Sequence, residues 1–554
     1  MHSDRQRTLL AVCLVTAIYR IFWAFAITTL FVPDEYYQTV EPSKKMFDGT
    51  FESGLNSTWE WRDEYRIRSF VPLLPYLIAH QFKFIGKAFS AFFPTEILVL
   101  KGPRVINSLM SSCSDLALFL ILEKFTKLRG IAFFILCVHL FSWSASYCLS
   151  RTLANSTETA FIIIGLFFWL SEHKSGFGLK DNFYSTRGTS SEESPASLES
   201  IRLKGAASGT RNLQGVQELR YRKPTIKASK EADPTSLHEI SRGTRCPLSL
   251  AVALITITVH CRPTAVLFWA PLIFLRIFQN ESPLQYITLH CIPTGLITFL
   301  LCIAIDSYFY KSLTVTPFNF FYINVSRNYA ALFYGAKPWH WNFSNGFPVM
   351  LGLYTPILLY SCFYTTQPED AIILELTSIL YAILLRCITA HQEFRFLLPC
   401  VAFLHIAVGF TLWNAAVWCL PSLGKPYKGK ATLFSYCLSI WRAHVLNNIP
   451  LLHGAGASNT STEQAVNNDI ASSSAMKNKS SCDPENDYDG KVENAGSKVH
   501  LGVRAIGILA LSSIFMAHLG TAYYLSTRHQ VCAPFTYMKM NLHVFCFAAH
   551  EWSL

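Results

Sequence analysis

Long runs of apolar residues recur along the whole chain, and they constrain its fold more than any other feature. A helix needs about 20 mostly apolar residues to cross the hydrocarbon core of a bilayer, and a backbone inside lipid must satisfy its own hydrogen bonds. The sequence therefore predicts an all-α polytopic membrane protein with about eleven transmembrane helices. We expect the spans at roughly residues 9–31, 103–122, 130–148, 158–171, 247–261, 264–279, 285–305, 346–364, 371–389, 396–416 and 501–525.

The composition agrees with this class of protein. Of the 554 residues, 51% are hydrophobic and only 15% are charged, which excludes a disordered chain. The net charge of +11 is typical of basic cytosolic loops in a membrane protein. Outside the loops no basic stripe is interleaved with aromatic residues, so we expect no nucleic-acid partner.

One further apolar segment, residues 71–93, is interrupted by two prolines and by His80 and Gln81. We therefore expect it to lie as a helix in the membrane interface rather than to cross the bilayer. With the N-terminus in the cytosol, this assignment puts the basic loops on the cytosolic side, as the positive-inside bias requires. It gathers the charged and aromatic motifs on the opposite, lumenal side, in residues 34–70, 151–158, 262, 306–345 and 391–395.

Two polar stretches divide the chain. The first is rich in Ser, Gly, Lys and Arg and the second in Asn, Ser, Lys and Ala, and neither shows apolar periodicity. Both are therefore expected to be disordered cytosolic segments. The predicted organisation is an N-terminal module at 1–171 with a catalytic first lumenal loop at 32–102, a disordered insert at 172–245, a C-terminal transmembrane module at 246–420 with a lumenal loop at 306–345, a disordered segment at 421–500, and a last transmembrane helix with a short lumenal end at 501–554.

Two adjacent carboxylates, Asp34 and Glu35, follow Pro33 where the first apolar span ends. Charge at the margin of hydrocarbon is costly, so its presence indicates a functional site. Either carboxylate could act as a general base toward a sugar hydroxyl. The alternative is an interfacial helix cap, because Asp is a favoured N-cap residue.

The same predicted loop places aromatic rings beside polar and charged side chains. This mixture suits a carbohydrate ligand, because a sugar has both apolar ring faces and hydroxyl groups. Trp residues also anchor membrane proteins at the interface, which is the alternative role for the aromatic residues. The candidate substrate-binding residues of this loop are Gln38, Trp59, Glu60, Trp61 and Arg68.

A second charged cluster, His391, Glu393 and Arg395, stands at the mouth of another span. Arg offers a bidentate fork to phosphate oxygens, so we expect a lipid phosphate as the partner of Arg395. An internal ion pair of Arg395 with Glu393 or Asp34 is the alternative. Further candidates with the same kind of placement are Arg151, Asn155, Glu158 and Arg262.

Residues 337–348 form an aromatic loop with His340, which is either a hydrogen-bonding or acid–base group or a structural residue. No GxGxxG, GxxxxGK[ST] or HExxH pattern occurs, so a Rossmann cofactor, a P-loop nucleotide and a zincin site find no support. A DxD pattern at Asp487 and Asp489 lies in a polar stretch assigned to the cytosol, and we discount it. Because the sequence has no obvious cage of carboxylates, we expect neither a metal nor a cofactor.

Four motifs together resemble a known family: Val32-Pro-Asp-Glu-Tyr-Tyr-Gln38, Thr58-Trp-Glu-Trp61, Arg68-Ser-Phe70 and His391-Gln-Glu-Phe-Arg-Phe396. They look like signatures of glycosyltransferase family 22, the GT-C-fold mannosyltransferases of the endoplasmic reticulum. Within this family, three further segments are most similar to the members that add the third mannose to the GPI-anchor precursor. These segments are 151–156, 262–266 and 338–349.

The resemblance implies a GT-C fold in the endoplasmic reticulum membrane, with a lumenal active site. It implies an inverting transfer of mannose from dolichyl-phosphate-mannose to the GPI-anchor precursor in α-1,2 linkage, with no cofactor beyond this donor. Asp34 is then the expected base, with Glu35 as the alternative, and the expected partners are the lipid-linked donor and the glycolipid acceptor. The alternative functions are the α-1,2-mannosyltransferase of the dolichol-linked N-glycan precursor and, at a greater distance, a membrane transporter.

Overall fold

The computed structural model describes residues 2–52, 57–88, 95–171, 234–279, 283–442 and 492–527. It contains two compact units, of which the smaller is Gly178–Cys246 and the larger is Met1–Phe177 with Pro247–Leu554. All the candidate site residues belong to the larger unit. Most of both predicted disordered segments, the DxD pattern and the expected lumenal end after residue 527 lie outside the described residues.

The described residues are helical, apart from turns, loops and one isolated antiparallel bridge between Gln367 and Ala431. Short 3-10 and π-helical turns join several of the α-helices. The α-helices are α1 His2–Ala26, α2 Glu41–Asp48, α3 Leu74–Ala88, α4 Thr95–Thr126, α5 Arg129–Phe141, α6 Trp143–Cys148, α7 Ala154–Ser171, α8 Pro234–Cys261, α9 Val266–Gln279, α10 Pro283–Tyr286, α11 Ile292–Tyr310, α12 Thr316–Phe320, α13 Tyr329–Tyr334, α14 Phe347–Leu351, α15 Tyr354–Tyr364, α16 Glu369–Ile388, α17 Leu398–Cys419, α18 Leu433–Trp441 and α19 Val492–Thr527.

Seven helical segments of the described chain are long and apolar enough to cross a membrane, which confirms the prediction of an all-α polytopic membrane protein. Each of them coincides with one of the spans expected from the sequence. They are Asp4–Ala26, Lys101–Thr126, Ala154–Ser171, Pro283–Tyr310, Glu369–Ile388, Phe394–Cys419 and Arg504–Thr527.

Against the expectation of about eleven spans, the described residues contain seven such helices, or eight if one bent helix pair counts as a span. The other four predicted spans are helical but interrupted or short: Arg129–Phe141, Pro247–Cys261 and Pro263–Gln279 have fewer than 18 residues each, and α14 and α15 belong to a helix pair bent by 111°. The interruptions have local causes. Ser142 ends α5 and caps the N-terminus of α6 by accepting a hydrogen bond from Ala145 N. Gly352, between α14 and α15, has a positive φ of 57° that an L side chain rarely adopts.

Helix α17 forms the centre of the larger unit. It packs against α5, α7, α15, α16 and α19, and most of its residues are buried. A helix that is apolar all round is typical of a position enclosed by other helices. Its closest neighbour is α5, because a Cβ atom placed on Gly409 would lie only 2.8 to 3.1 Å from the side chain of Ile135.

A fully buried ion pair joins α1 to α4. Arg20 donates from Nε and Nη2 to the two carboxylate oxygens of Asp115, at 2.7 and 2.8 Å. Arg20 also donates from Nη1 to the carbonyl oxygen of Ala145 at 2.5 Å. Charges are tolerated in such an environment only when they are paired and hydrogen-bonded, so this contact fixes how the two helices pack.

Helix α3 lies beside α4, where Tyr76 Oη donates to Asn107 Oδ1 at 3.0 Å. Residues 89–93 lie outside the described part of the chain. The expectation that residues 71–93 lie in the membrane interface therefore stays a prediction.

Some described helical residues lie inside the segments predicted to be disordered, whose limits stay a prediction. Helix α18 lies within 421–500, and its N-terminus is closed by a capping box between Thr432 and Ser435. Helix α8 begins at Pro234, inside the expected insert, and α19 begins at Val492. Polar residues form helix ends through such caps, and apolar periodicity does not detect them.

Gly409→Ala should destabilise the protein, because its Cβ would meet Ile135 inside a packed core. We expect a loss of about 1–3 kcal/mol in the free energy of unfolding, measured by denaturation of the purified protein in detergent. Gly520→Ala is the matched control, since it lies in α19 and a Cβ there would meet nothing within 4 Å. Equal stability of the two variants would contradict close packing of α5 against α17.

Candidate active site

The site begins where α1 ends. The chain leaves α1 after Ala26, and Arg104 on α4 holds this exit by donating to the carbonyl oxygens of Ile27 and Thr29, at 2.7 and 3.1 Å. Pro33 then starts a helical turn, in which the backbone N–H of Tyr36 donates to the Pro33 carbonyl oxygen at 3.0 Å. This turn places two consecutive carboxylates in different surroundings.

Glu35 is buried, with 1% of its side chain exposed, and both of its oxygens are engaged. Arg151 Nη1 donates to Oε2 at 2.7 Å, Arg104 Nη2 donates to Oε1 at 3.3 Å, and the backbone N–H of Phe31 also donates to Oε2 at 3.1 Å. Burial by itself would raise the pKa of Glu35, but Arg151 and Arg104 outweigh burial and lower it. Glu35 is therefore a charged structural anchor for the chain after α1.

Asp34 is more accessible, with 31% of its side chain exposed. Its Oδ2 accepts from Arg395 Nη2 at 2.5 Å and from Gln38 Nε2 at 2.6 Å. Of the two neighbouring carboxylates, only Asp34 has a side chain that an incoming substrate could reach. It stands directly against the second charged cluster, which lies more than 350 residues further along the chain.

Arg395 is buried and lies between two carboxylates. Its Nε and Nη2 also contact Glu393, at 2.7 and 3.0 Å. Burial raises the pKa of Glu393, but hydrogen bonds from His391 and Arg395 outweigh it and lower the pKa to about 2. His391 faces two acceptors, Glu393 Oε1 and the Gly335 carbonyl oxygen, each at 3.0 Å from a ring nitrogen.

A third charged group lies beside this cluster. Arg262 Nε contacts Glu158 Oε2 at 2.9 Å, and Arg262 Nη1 is 3.4 Å from Asn155 Oδ1. The guanidinium of Arg262 lies 5.3 Å from the ring of Phe396, whose other neighbour is Arg395 at 5.6 Å. Burial lowers the pKa of Arg262, and the nearby positive charges of Arg68 and Arg395 lower it further. The guanidinium groups of Arg262 and Arg395 thus both lie near the ring of Phe396.

The first loop contributes Trp59, Glu60 and Arg68. Arg68 Nη2 donates to Glu60 Oε1 at 2.6 Å, and Trp59 Nε1 donates to the hydroxyl of Tyr334 at 3.2 Å. Trp61 is different, because only 2% of it is exposed. Its ring packs in an aromatic cluster with Phe51, Phe70 and Tyr310. Trp61 therefore stabilises the loop, whereas Trp59 keeps an accessible ring.

His340 does not join the charged cluster. It is exposed, its Nδ1 lies 2.9 Å from Ser344 Oγ, and its ring packs against Trp339. The sequence analysis grouped His340 with the substrate-binding candidates because of the aromatic residues around it. In the structure, Trp341 of the same loop packs against Phe394 instead, so the loop supports the segment that carries Arg395.

Two residues of the site were missed in the sequence. Arg104, which binds Glu35, stands at the margin of a predicted span, and the cost of charge there was a usable signal. Tyr334 lies close to the negative charges of Glu60, Asp34 and Glu393. Nothing in the sequence around Tyr334 indicates this role.

Contacts bring together several of the motifs that the sequence assigns to the lumenal side. Glu35 meets Arg151, Asp34 meets Arg395, and the backbone N–H of Phe70 donates to Asp306 Oδ1 at 2.8 Å. Among the residues that the structure describes, no group of three or more His, Cys, Asp or Glu side chains could hold a metal ion. The expectation that no metal takes part stays a prediction.

Fold and site together define a multi-pass membrane protein with a cluster of charges and aromatic rings at one end of its helices. The model of the Alg9-like mannosyltransferase family matches residues 11–482, and the chain belongs to that family. Family membership also supports the GT-C fold that the sequence motifs implied.

Two curated relatives carry a more specific name. The chain is 30% identical to GPI alpha-1,2-mannosyltransferase 3 of Homo sapiens, over 74% of this chain and 59% of that protein. It is 29% identical to the Mus musculus protein of the same name, over 73% of this chain and 59% of the relative. The chain thus spans about three-fifths of the length of these relatives. A solved structure, ArnT from Cupriavidus metallidurans bound to undecaprenyl phosphate, has 12% identity and a TM-score of 0.48 over 95% of this chain and 76% of its own.

Glu35→Gln should destabilise the protein strongly, because it leaves Arg151 buried without a counter-charge. We expect a loss of about 3–5 kcal/mol in the free energy of unfolding. Denaturation of the purified protein in detergent measures this loss. Glu41→Gln is the control, since Glu41 forms an ordinary, partly exposed pair with Lys45 at 3.0 Å. Combining Glu35→Gln with Arg151→Met should cost less than the sum of the single changes. An unaltered Glu35→Gln protein would show that Glu35 is not an anchor.

Proposed function

We propose that this protein transfers mannose from dolichyl-phosphate-mannose to the GPI-anchor precursor, forming an α-1,2 bond with inversion. Membership of a mannosyltransferase family supports the reaction class, and the names of the relatives support the acceptor and the linkage. The observation that carries the proposal is the accessible Asp34 carboxylate held against the buried guanidinium of Arg395. This contact joins a candidate base to a candidate phosphate-binding group.

In the proposed step, Asp34 takes the proton from the 2-hydroxyl of the terminal acceptor mannose. The hydroxyl oxygen attacks the anomeric carbon of the donor from the face opposite the phosphate. The bond between that carbon and the phosphate oxygen breaks, and its electron pair leaves with dolichyl phosphate. Glu35 is a poor candidate for the base, because its buried oxygens are already bound by Arg151 and Arg104.

Positive charge must stabilise the departing phosphate. Arg395 has five N–H donors, so it can keep Glu393 while it turns part of its fork from Asp34 toward phosphate. That exchange would also free Asp34 to act as the base. Arg262 and Arg68 lie close by and add positive charge. Arg151 is less suitable, because Glu35 and the Thr29 carbonyl oxygen bind its guanidinium in a fully buried position.

The proposal needs no metal cofactor. A lipid monophosphate leaving group carries less charge than a nucleotide diphosphate, and the arginine side chains supply the counter-charge. The proposed reaction also implies that both substrates are lipid-linked. It places the protein in the endoplasmic reticulum membrane, with the active site facing the lumen. The positive-inside pattern of the loops supports this orientation.

One rival acceptor shares the family and the donor. The family model is named for Alg9-like enzymes, and an α-1,2-mannosyltransferase of the N-glycan precursor would use similar chemistry. The relatives named for the GPI reaction favour the first assignment. A transporter is disfavoured, because the family model that matches the chain is one of mannosyltransferases.

Analysis of lipid-linked precursors in cells that lack this chain separates the two acceptors. We expect accumulation of a GPI intermediate with two mannoses, while the N-glycan precursor keeps its full length. A truncated N-glycan precursor with normal GPI intermediates would replace the proposal with its rival.

In the same cells, Asp34→Asn should fail to restore the GPI precursor, because the amide cannot accept the proton. Loss of a general base typically costs about 10²–10⁴ in rate, and the variant should still reach the wild-type protein level. Asp48→Asn is the control: Asp48 is exposed and pairs only with its own helix, at Lys44 3.2 Å away. Full rescue by Asp34→Asn would remove Asp34 from the role of base.

A further inference from the structure

A cavity lies outside the charged cluster around Asp34 and Arg395. It has a volume of about 480 Å³ and opens between the first loop and the segment that follows α11. This size is within the usual range for a binding pocket for a small ligand. The lining residues that matter for its chemistry are Asp63, Glu64, Tyr65, Arg66, Arg327 and Tyr329.

Aromatic rings connect this cavity to Asp34. Tyr334 lies near Asp34 and Glu393, and its hydroxyl accepts from Trp59 Nε1 at 3.2 Å. The ring of Trp59 is 5.4 Å from that of Tyr65 and 5.5 Å from that of Tyr329. These four rings, which we call the aromatic track, lead from the proposed base to the cavity.

The rings of the aromatic track are accessible. Tyr334 is 58% exposed, and Trp59, Tyr65 and Tyr329 are partly exposed. The hydroxyls of Tyr65 and Tyr329 lie 2.9 Å apart, so the two rings hold each other in place at the rim of the cavity. Fixed, half-exposed rings with polar edges are the arrangement that sugar rings stack on.

The charges of the cavity select for a neutral, polar ligand. Two acidic side chains, Asp63 and Glu64, are balanced by two basic ones, Arg66 and Arg327, so neither an anion nor a cation is favoured. Carboxylates accept hydrogen bonds and guanidinium groups donate them, and sugar hydroxyls can do both. Asp63 already pairs with Arg66 at 2.8 Å and Arg327 Nη2 donates to the Tyr322 hydroxyl at 2.6 Å, so a sugar would use the remaining donors and acceptors of these groups. Apolar side chains such as Leu313 and Phe318 complete the lining.

We propose that the cavity and the aromatic track form a subsite for the acceptor glycan, binding neutral sugar units beyond the mannose that receives the new bond. This rests on the proposed function, because it assumes that the acceptor hydroxyl lies at Asp34. The rings of Trp59, Tyr65 and Tyr329 lie 5.4 to 5.5 Å from one another, so they form one continuous aromatic surface at the rim of the cavity. The subsite lets the enzyme distinguish acceptors by the length of their glycan.

The test measures binding without turnover. The full-length protein, purified in detergent, is titrated with methyl α-mannoside, an α-linked mannobiose and an α-linked mannotriose, with saturation-transfer NMR as the readout. We expect the trisaccharide to bind about tenfold more tightly than the monosaccharide, the effect of one additional stacked ring. Equal affinities of all three sugars would overturn the proposal.

Variants of Tyr329 locate the effect. Tyr329→Ala should remove the preference for the trisaccharide, whereas Tyr329→Phe, which keeps the ring but loses the hydroxyl, should retain it. If both variants lose the preference equally, the hydroxyl contact braces the loops and the proposed stacking is wrong. Tyr308→Ala is the matched control, since Tyr308 is a 78% exposed tyrosine outside the cavity.

Failure of the proposed function would look different. A protein that prefers the trisaccharide through Tyr329 but transfers no mannose from dolichyl-phosphate-mannose would retain the glycan subsite and contradict the proposed reaction. A protein that transfers mannose but binds all three sugars equally, with Tyr329→Ala unchanged, would retain the reaction and contradict the subsite.

Discussion

The contact of Glu35 with Arg151 and Arg104 is the interaction on which the rest of the site depends. It joins the exit of α1 to α4 and to the start of α7, and it is buried, so it is neither weakened by water nor easily exchanged. Because Glu35 is fixed, its neighbour Asp34 must face the other way, toward Arg395. The buried contacts of Glu35 thus help to position the carboxylate of Asp34.

Arg395 serves two structural purposes that compete. It pairs with both Asp34 and Glu393 in the resting protein, and in the proposed reaction it turns toward the departing phosphate. A buried guanidinium between two carboxylates is stable without substrate, which keeps charge from being stranded at the membrane surface. The same arrangement gives an anion a ready partner once one of the carboxylates is released.

The sequence predicts the helical class well, because apolar segments of sufficient length have few alternatives in lipid. All eleven expected spans are helical. The sequence does not predict where they break, since the interruption at Ser142 and the bend at Gly352 depend on single caps and dihedral angles.

For the site, the sequence indicates which charged clusters matter but not the role of each residue within them. The clusters around Asp34 and Arg395 were found because charge at the membrane margin is unusual. The difference between Asp34 and Glu35, like that between Trp59 and Trp61, is not visible in the sequence. These neighbours have the same chemistry, and their exposure is decided by partners such as Arg151, more than 100 residues away.

The buried pair of Arg20 and Asp115 has a consequence for how the chain is made. α1 leaves the ribosome before α4, and the guanidinium of Arg20 has no counter-ion until Asp115 has been synthesised, 95 residues later. Placing an unpaired arginine in the bilayer costs roughly 2.5–3.5 kcal/mol on insertion scales. The first helix should therefore remain beside the translocon until the fourth arrives, so that the two enter the lipid as a pair.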